Sequence, residues 1–422
     1  MNRLQTDKFA AVCGMIWFIF IIDACFTWFF TWRTRYFMGA PFMFIATLML
    51  SGNNGLRFSK QRLSMFFSIL ILAVYFFVVK KQYVIACFRY TPMMCIVFWR
   101  SSALTIMYSY LKKFIIFYAI LSIFVEFLVI SRIWRVLPHM IFPPQDEVQR
   151  QLGYVNYFYG LFSIQSVDYN LSFFRTCGPG REGGHWAIYL GFLYFSEKAI
   201  YNKRNIWVII SGFLSLSPNF LIAFFVTEGY CGIVQKKIEK SMAIFLGTIL
   251  LIMTVFTLSP KKIQDEVVRV IFERSLDRSI ESLGSEGLMA IINERTGRDQ
   301  AGIMYFDKFM KNDTFTVLTG GKVPKDNTMS DYRMLIMHIG FIGVFLVLWC
   351  IFVFSFKTNK GLFGLCLLVM GLAVFAHRSW MYFNCYWWTM MLLINNECKC
   401  REISVASRKQ IRYVAKTQMV TT

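Results

Sequence analysis

Long apolar runs separated by short polar segments dominate the pattern of this chain. Runs such as FAAVCGMIWFIFIIDACFTWFF and MLIMHIGFIGVFLVLWCIFVF reach the roughly 20 residues that a helix needs to cross a bilayer. The pattern predicts an all-α polytopic membrane protein, with one integral membrane domain over residues 1–422 and about 12 transmembrane helices. The predicted spans are 9–31, 36–52, 64–79, 82–99, 114–133, 184–200, 206–216, 218–234, 241–259, 334–355, 361–377 and 380–396.

Two polar stretches are much longer than the other connections, and they lie at 134–183 and 260–333. The second stretch contains 12 of the 24 acidic residues, which predicts a folded loop that faces water. Within it, DEVVRVIFERSLDRSIESL has apolar residues at helical spacing. This spacing predicts an amphipathic helix that lies on the outer membrane surface or on the spans.

The net charge of +21 comes from 45 Lys and Arg against 24 Asp and Glu. In a soluble protein this balance would suggest a nucleic-acid partner, but 56% of the residues are hydrophobic and the mean hydropathy is +0.49. Cytoplasmic loops of membrane proteins collect Lys and Arg. We therefore expect no nucleic-acid partner, and a bacterial inner-membrane protein with both termini, including the basic tail 397–422, in the cytoplasm. The two long loops are then periplasmic, and the short outer loops carry only Arg33, Arg35, Lys80, Lys81 and Arg378.

The eleven cysteines indicate no metal or redox chemistry. Most of them lie inside apolar runs, and the CKC sequence in the basic tail has no second pair that would complete a zinc site. The sequence also has no D-x-D pair and no carboxylate–histidine cluster at metal-ligand spacing. We expect neither a metal nor a cofactor.

The first long loop ends in RTCGPGREGGHWAIYL, where charge and glycine give way to a predicted helix. Glycines at 178, 180, 183 and 184 allow a sharp turn, and the N-terminus of the following helix favours an anion. Arg175 and Arg181 add planar guanidinium groups that suit a phosphate or diphosphate. Glu182 could accept a proton from a hydroxyl group. The alternative is a loop whose arginines bind lipid headgroups, in which His185 is an ordinary interfacial histidine.

The second long loop contains two arginines, Arg295 and Arg298, beside a glycine turn, and an amphipathic helix follows them. A Gly-Gly turn and a polar stretch then precede a helix that enters the membrane at Arg333. His338 lies about a turn and a half further on, so it could face the same outer cavity. The alternative for His338 is a packed core residue.

These segments resemble the Wzy-type O-antigen polymerases, which form a superfamily with the O-antigen ligases. The pattern R-x-x-G-x-x-x-E-(P)-G-H is matched by Arg175, Gly178, Glu182, Gly184 and His185, although Gly183 stands where the family usually has proline. The second signature of the family is an arginine-bearing helix, a Gly-Gly turn and a Ser-x-Tyr that precedes a glycine-containing helix. Its matching residues here are Arg295, Gly320, Gly321, Ser330, Tyr332, Gly340 and Gly343.

The resemblance implies a membrane-embedded (GT-C-like), metal-independent glycosyltransferase of lipopolysaccharide biosynthesis. Such an enzyme joins oligosaccharide repeat units carried on undecaprenyl diphosphate at the periplasmic face, and a chain-length regulator is a further candidate partner besides membrane lipids. The resemblance assigns Arg175 and Arg295 to the leaving diphosphate, and Glu182 or His185 to the acceptor hydroxyl. The substrate-binding residues that it implies are Arg181, Arg298, Arg333, Tyr332, His338, Gly178 and Gly184.

The sequence allows three other functions. An O-antigen ligase, which transfers finished polysaccharide to the lipid A core, would use the same arginine chemistry. A polysaccharide flippase also has about twelve spans, but it should show paired repeats and charges along a central cavity. A structural subunit of an export complex would leave the clustered arginines unexplained.

Overall fold

The structure is a computed structural model that describes residues 2–21, 35–133, 140–142, 155–158, 162–166, 174–180, 183–215, 217–236, 238–258, 261, 300–322, 332–357 and 361–377. Helices form most of this part of the chain, which confirms the predominantly helical class. In the first half the helices are α1 (Arg3–Ile21), α2 (Arg35–Gly52), α3 (Lys60–Val74, continued by the π-helical segment Tyr75–Val79), α4 (Tyr83–Ile85, π-helical Ala86–Tyr90 and Thr91–Val97) and α5 (Ser101–Ile130).

In the second half of the chain, helices surround the ends of both long loops. They are α6 (Gly183–Tyr201), α7 (Ile206–Leu214), α8 (Pro218–Val234), α9 (Ile238–Leu258), α10 (Gln300–Met310), α11 (Thr314–Thr319), α12 (Tyr332–Phe352, followed by the π-helical segment Val353–Lys357) and α13 (Leu362–His377). The helix α7 is short, as the pattern over 206–216 predicts, and Pro218 starts the next helix at a position that proline favours.

Two helices are long and apolar enough to cross a membrane, judged by length and composition within the described residues. They are Lys60–Val79 and Tyr332–Phe356. Four shorter apolar helices accompany them, at Gly39–Gly52, Pro218–Val234, Ser241–Leu250 and Leu362–Ala376. The total of twelve spans stays a prediction, and the predicted twelfth span at 380–396 lies outside the described residues.

A small antiparallel sheet in the first long loop departs from the all-α prediction. Its strands are β1 (Met140–Phe142), β2 (Val155–Phe158), β3 (Ser163–Ser166) and β4 (Phe174–Thr176), paired in the order β1-β2-β3-β4. Strands of three or four residues are too short to give the alternation over four to eight residues that marks a strand in a sequence. The sheet packs on the end of α5 through buried side chains, which are Tyr157, Ile164, Val125 and Val129.

The cores of the helical part contain both large aromatic residues and buried charges. Trp17, Trp99 and Trp186 are fully buried in one apolar cluster. Three buried carboxylates each pair with a cation from a segment that the charge pattern assigns to the cytoplasmic side. The pairs are Asp7–Arg100, Glu197–Lys112 and Glu228–Arg204.

Candidate functional site

The turn before α6 packs closely on the first turn of that helix. Gly178 has a φ of +56°, and a Cβ atom added there would lie 2.6 Å from the ring of Trp186. The amide of Gly180 donates to the carbonyl of Cys177 at 2.9 Å, and Trp186 donates through Nε1 to Ser211 Oγ on α7 at 3.1 Å. The sharp turn that the sequence predicts is therefore present, and its close approach is to a tryptophan of the same chain.

Arg175 lies in β4, the strand that leads into this turn, and it pairs with Gln165 of β3. Because β4 belongs to the sheet, the backbone of Arg175 is held by its pairing with β3. Gly184 is buried and His185 is half-buried in the first turn of α6, which begins one residue before the predicted span 184–200. Arg181 and Glu182 lie outside the described residues.

The second loop returns to the helices at a junction made by two glycines. Gly340 interrupts α12 with a φ of 69° and a ψ of 176°, and Gly320 has a φ of +79°. A Cβ atom on Gly340 would lie 2.2 Å from the carbonyl oxygen of Leu318, and one on Gly320 would lie 2.5 Å from the amide nitrogen of Gly340. The backbones meet directly, and Gly321 donates its amide to the carbonyl of Met337 at 2.8 Å.

Helix α11, which carries this turn, is started by a local cap. Asp313 precedes it, and its carboxylate accepts hydrogen bonds from the amide and the hydroxyl of Thr316, each at 2.8 Å. These hydrogen bonds favour the charged form and lower the pKa of the Asp313 carboxyl. The cap fixes where α11 begins, and therefore where the Gly-Gly turn falls.

Two side chains from the end of α3 bind the carbonyl groups at the junction. The hydroxyl of Tyr75 donates to the carbonyls of Thr319, at 3.0 Å, and Ile339. The ammonium of Lys80 donates to the carbonyls of Thr319 and Gly320, both at 3.1 Å. Burial at this position lowers the pKa of Lys80. These contacts cap the C-terminal end of α11, where carbonyl groups lack helical partners.

His338 lies beside the junction and contacts Gln82, which follows Lys80 by two residues. The Nε2 atoms of Gln82 and His338 are 2.9 Å apart. Because an amide nitrogen only donates, the imidazole accepts at Nε2 in this arrangement. Lys80, Gln82 and His338 are all half-buried.

Tyr332 and Arg333 form the start of α12. Arg333 is buried, and the carbon of its guanidinium lies 5.8 Å from the centre of the Tyr332 ring, which is within range of a cation–π contact. The helix therefore begins within one residue of Arg333, where the sequence predicts that it starts. Arg295 and Arg298 lie outside the described residues.

No motif in the sequence indicates Tyr75, Lys80 or Gln82 as site residues. The one signal that pointed there was charge, because Lys80 and Lys81 are among the few cations of the short outer loops. Within the described residues, no group of three or more His, Cys, Asp or Glu is placed to hold a metal ion. The groups that the junction does bring together are an ammonium, an amide, an imidazole and a phenol.

Comparison of the chain with protein-family models, with curated proteins and with solved structures gives no match. The chemistry of these two segments is therefore the observation that bears on function.

Proposed function

We propose that this chain is an O-antigen polymerase of the Wzy type. It joins oligosaccharide repeat units carried on undecaprenyl diphosphate at the periplasmic face of the bacterial inner membrane, without a metal. The observation that carries the proposal is the junction of the second loop, where Gly320 and Gly340 meet and His338 is held by Gln82. The junction gives a physical reason for the glycines of the second signature.

The surface of the described helices supports a place in the membrane. Large apolar side chains that are 62–72% exposed occur on α2, α3, α5, α9 and α12, and they are Leu48, Val78, Phe127, Leu250 and Phe345. A single exposed leucine is normal in a soluble protein. Large exposed side chains on five helices, together with two helices of spanning length, fit a protein whose outer surface contacts lipid.

In the proposed reaction, an acceptor hydroxyl attacks the anomeric carbon of the donor repeat unit, and the bond from this carbon to the diphosphate breaks. Glu182 or His185 accepts the hydroxyl proton. Arg175 and Arg295 neutralise the departing undecaprenyl diphosphate, with Arg181, Arg298 and Arg333 as further contacts to substrate. The backbone of Arg175 is held in a strand, which supports this role, because charge stabilisation works best on a scaffold that is fixed before the reaction.

A flippase is the second candidate, because a break in a membrane helix is typical of transporter binding sites. The break at Gly340 invites this interpretation. The carbonyls of Met337 and Ile339 beside the break, however, are bound by Gly321 and Tyr75. Because these groups are occupied by the protein, the break favours a docking point for the second loop over an ion or substrate pathway.

The first test is a silver-stained lipopolysaccharide gel of the host strain that lacks this chain. We expect a core that carries a single repeat unit, with no ladder above it. A bare core would instead indicate the ligase or the flippase, and an untouched ladder would contradict all three functions.

Arginine variants then test the assignment of residues. Arg175→Ala and Arg295→Ala should abolish the ladder while the protein still inserts, and lysine should rescue poorly because it cannot contact a diphosphate through two parallel hydrogen bonds. Arg132→Ala is the matched control, since Arg132 is exposed and lies outside both signatures. A normal ladder with either of the first two variants would remove that arginine from the mechanism.

A further inference from the structure

The turn between α3 and α4 presents two polar side chains to the junction. Lys81 has a φ of 53°, in the left-handed region, so the chain reverses between Lys80 and Gln82. The amide of Gln82 donates to the carbonyl of Phe76 at 2.9 Å, and the amide of Lys80 donates to the carbonyl of Tyr75 at 3.2 Å. These bonds fix the turn, so Lys80 and Gln82 reach the same junction from fixed positions.

Both side chains have hydrogen-bonding capacity that the described residues do not use. The Oε1 atom of Gln82 is buried and has no hydrogen-bond partner among them. The Lys80 ammonium has three N–H groups, and two of them donate to the carbonyls of Thr319 and Gly320. A buried acceptor without a donor is unfavourable, which makes Gln82 Oε1 a place where a ligand that donates a hydrogen bond would bind.

The chemistry of these groups selects among ligands. A phosphate or carboxylate only accepts hydrogen bonds, so it cannot satisfy Gln82 Oε1. Hydroxyl groups both donate and accept, so the hydroxyl groups of a sugar can donate to Gln82 Oε1 and accept from the third N–H of Lys80. The imidazole of His338 lies 2.9 Å from the other end of the Gln82 amide, so it orients the amide that presents Oε1.

We propose that Lys80, Gln82 and His338 form a subsite that binds a sugar of the repeat unit through its hydroxyl groups. This proposal rests on the proposed function, in which the substrate is an oligosaccharide. It places a sugar of that substrate beside the glycine junction. Gln82 then has two roles, since it contacts the sugar through Oε1 and positions His338 through Nε2. Lys80 also caps α11, so its removal would disturb the fold, and Gln82 is the residue to test.

The test uses the full-length protein in detergent and two probes. One probe is the free repeat-unit oligosaccharide, released from the host lipopolysaccharide by mild acid, and the other is undecaprenyl diphosphate without sugar. Gln82→Met keeps the length of the side chain and removes both the acceptor and the donor. Gln235→Met is the matched control, because Gln235 is exposed and bonds to Asn202, a residue assigned to the cytoplasmic side.

We expect Gln82→Met to weaken oligosaccharide binding at least tenfold by isothermal titration and to leave undecaprenyl diphosphate binding unchanged. Gln82→Glu, which keeps acceptor oxygens at this position, should recover part of the oligosaccharide affinity, and Gln235→Met should bind both probes normally. Unchanged oligosaccharide binding by Gln82→Met would overturn the subsite while the polymerase proposal still stood. An equal loss of affinity for both probes would show that Gln82 only supports the fold, which also overturns the subsite. If the unaltered protein binds no oligosaccharide and its deletion leaves the ladder intact, the proposed function fails as well.

Discussion

At the scale of single residues, the pair Gly320 and Gly340 explains most about this chain. Each glycine has a positive φ, and a Cβ atom added to either one would clash with backbone atoms of the other segment. The sequence analysis identified both glycines, one in a turn and one in a helix. It could not predict that they touch, because a helix with an internal glycine gives the same apolar pattern whether it is broken or continuous.

Gly340→Ala should therefore destabilise the protein strongly. Its φ of 69° with a ψ of 176° belongs to a region that is essentially restricted to glycine, where another residue costs of order 1–3 kcal/mol. The added carbon would also lie 2.2 Å from the carbonyl oxygen of Leu318, so the junction has to open. Thermal unfolding in detergent should show a clear decrease in the midpoint temperature of the Gly340→Ala variant.

Gly247→Ala is the control for this substitution, because Gly247 lies in α9 and a Cβ atom there meets nothing within 4 Å. Alanine replaces glycine in a helix with a gain of up to about 1 kcal/mol. We expect an unchanged or slightly raised midpoint. Equal midpoints for the two variants would contradict the close approach of the backbones.

At the scale of elements, α6 is held at both ends. Its N-terminal turn packs on the segment after β4, and its C-terminal half carries Tyr194 and Glu197. Glu197 accepts a hydrogen bond from Tyr108 of α5 at 3.1 Å and pairs with Lys112. Tyr194 donates to Glu228 of α8. The C-terminal half of α6 is thus tied to two neighbouring helices, which helps to hold its N-terminal turn, with His185, in a fixed place.

Tyr194→Phe should lower the free energy of unfolding by about 1.5–3 kcal/mol, the range for a hydrogen bond to a charged group. The carboxylate of Glu228 is 4% exposed, so water cannot replace the lost donor fully, although Arg204 still binds it at 2.7 Å. Tyr83→Phe is the control, because the Tyr83 side chain is 52% exposed and its substitution should change stability by less than about 0.5 kcal/mol. Chemical unfolding in detergent measures the free energy of unfolding of both variants. Similar values for the two variants would mean that the Tyr194 contact contributes little.

The elements also show what a hydropathy pattern can and cannot predict. The pattern located α6, α8 and α12 within a few residues, because apolar length identifies the part of a helix that avoids water. It placed the start of the fifth span at 114, whereas α5 begins at Ser101. Lys112 and Lys113 interrupt the apolar run there, but both residues lie inside the helix. The sheet of the first loop was missed because its strands are so short.

At the scale of the whole molecule, the two sides of the described helices are built differently. On the predicted cytoplasmic side, buried carboxylates pair with arginine or lysine, as in Asp7–Arg100. On the predicted periplasmic side, backbone meets backbone at the glycine junction, which Tyr75 and Lys80 cap.

Sequence alone could not place Tyr75, Lys80 and Gln82 in the site, because their partners follow 239–264 residues later in the chain. Such contacts arise only from the packing of distant helices.

This difference between the two sides makes the orientation of the chain testable. The charge pattern places Asn54 and Asn202, both in exposed turns, in the cytoplasm, and Ser131, at the exposed end of α5, in the periplasm. In a chain whose eleven cysteines are replaced by serine, a membrane-impermeant maleimide added to intact spheroplasts should label Ser131→Cys. It should leave Asn54→Cys and Asn202→Cys unlabelled until the cells are broken. Labelling in the opposite order would put the start of the first long loop, which contains Arg175, on the cytoplasmic side, and a polymerase that acts at the periplasmic face would then be excluded.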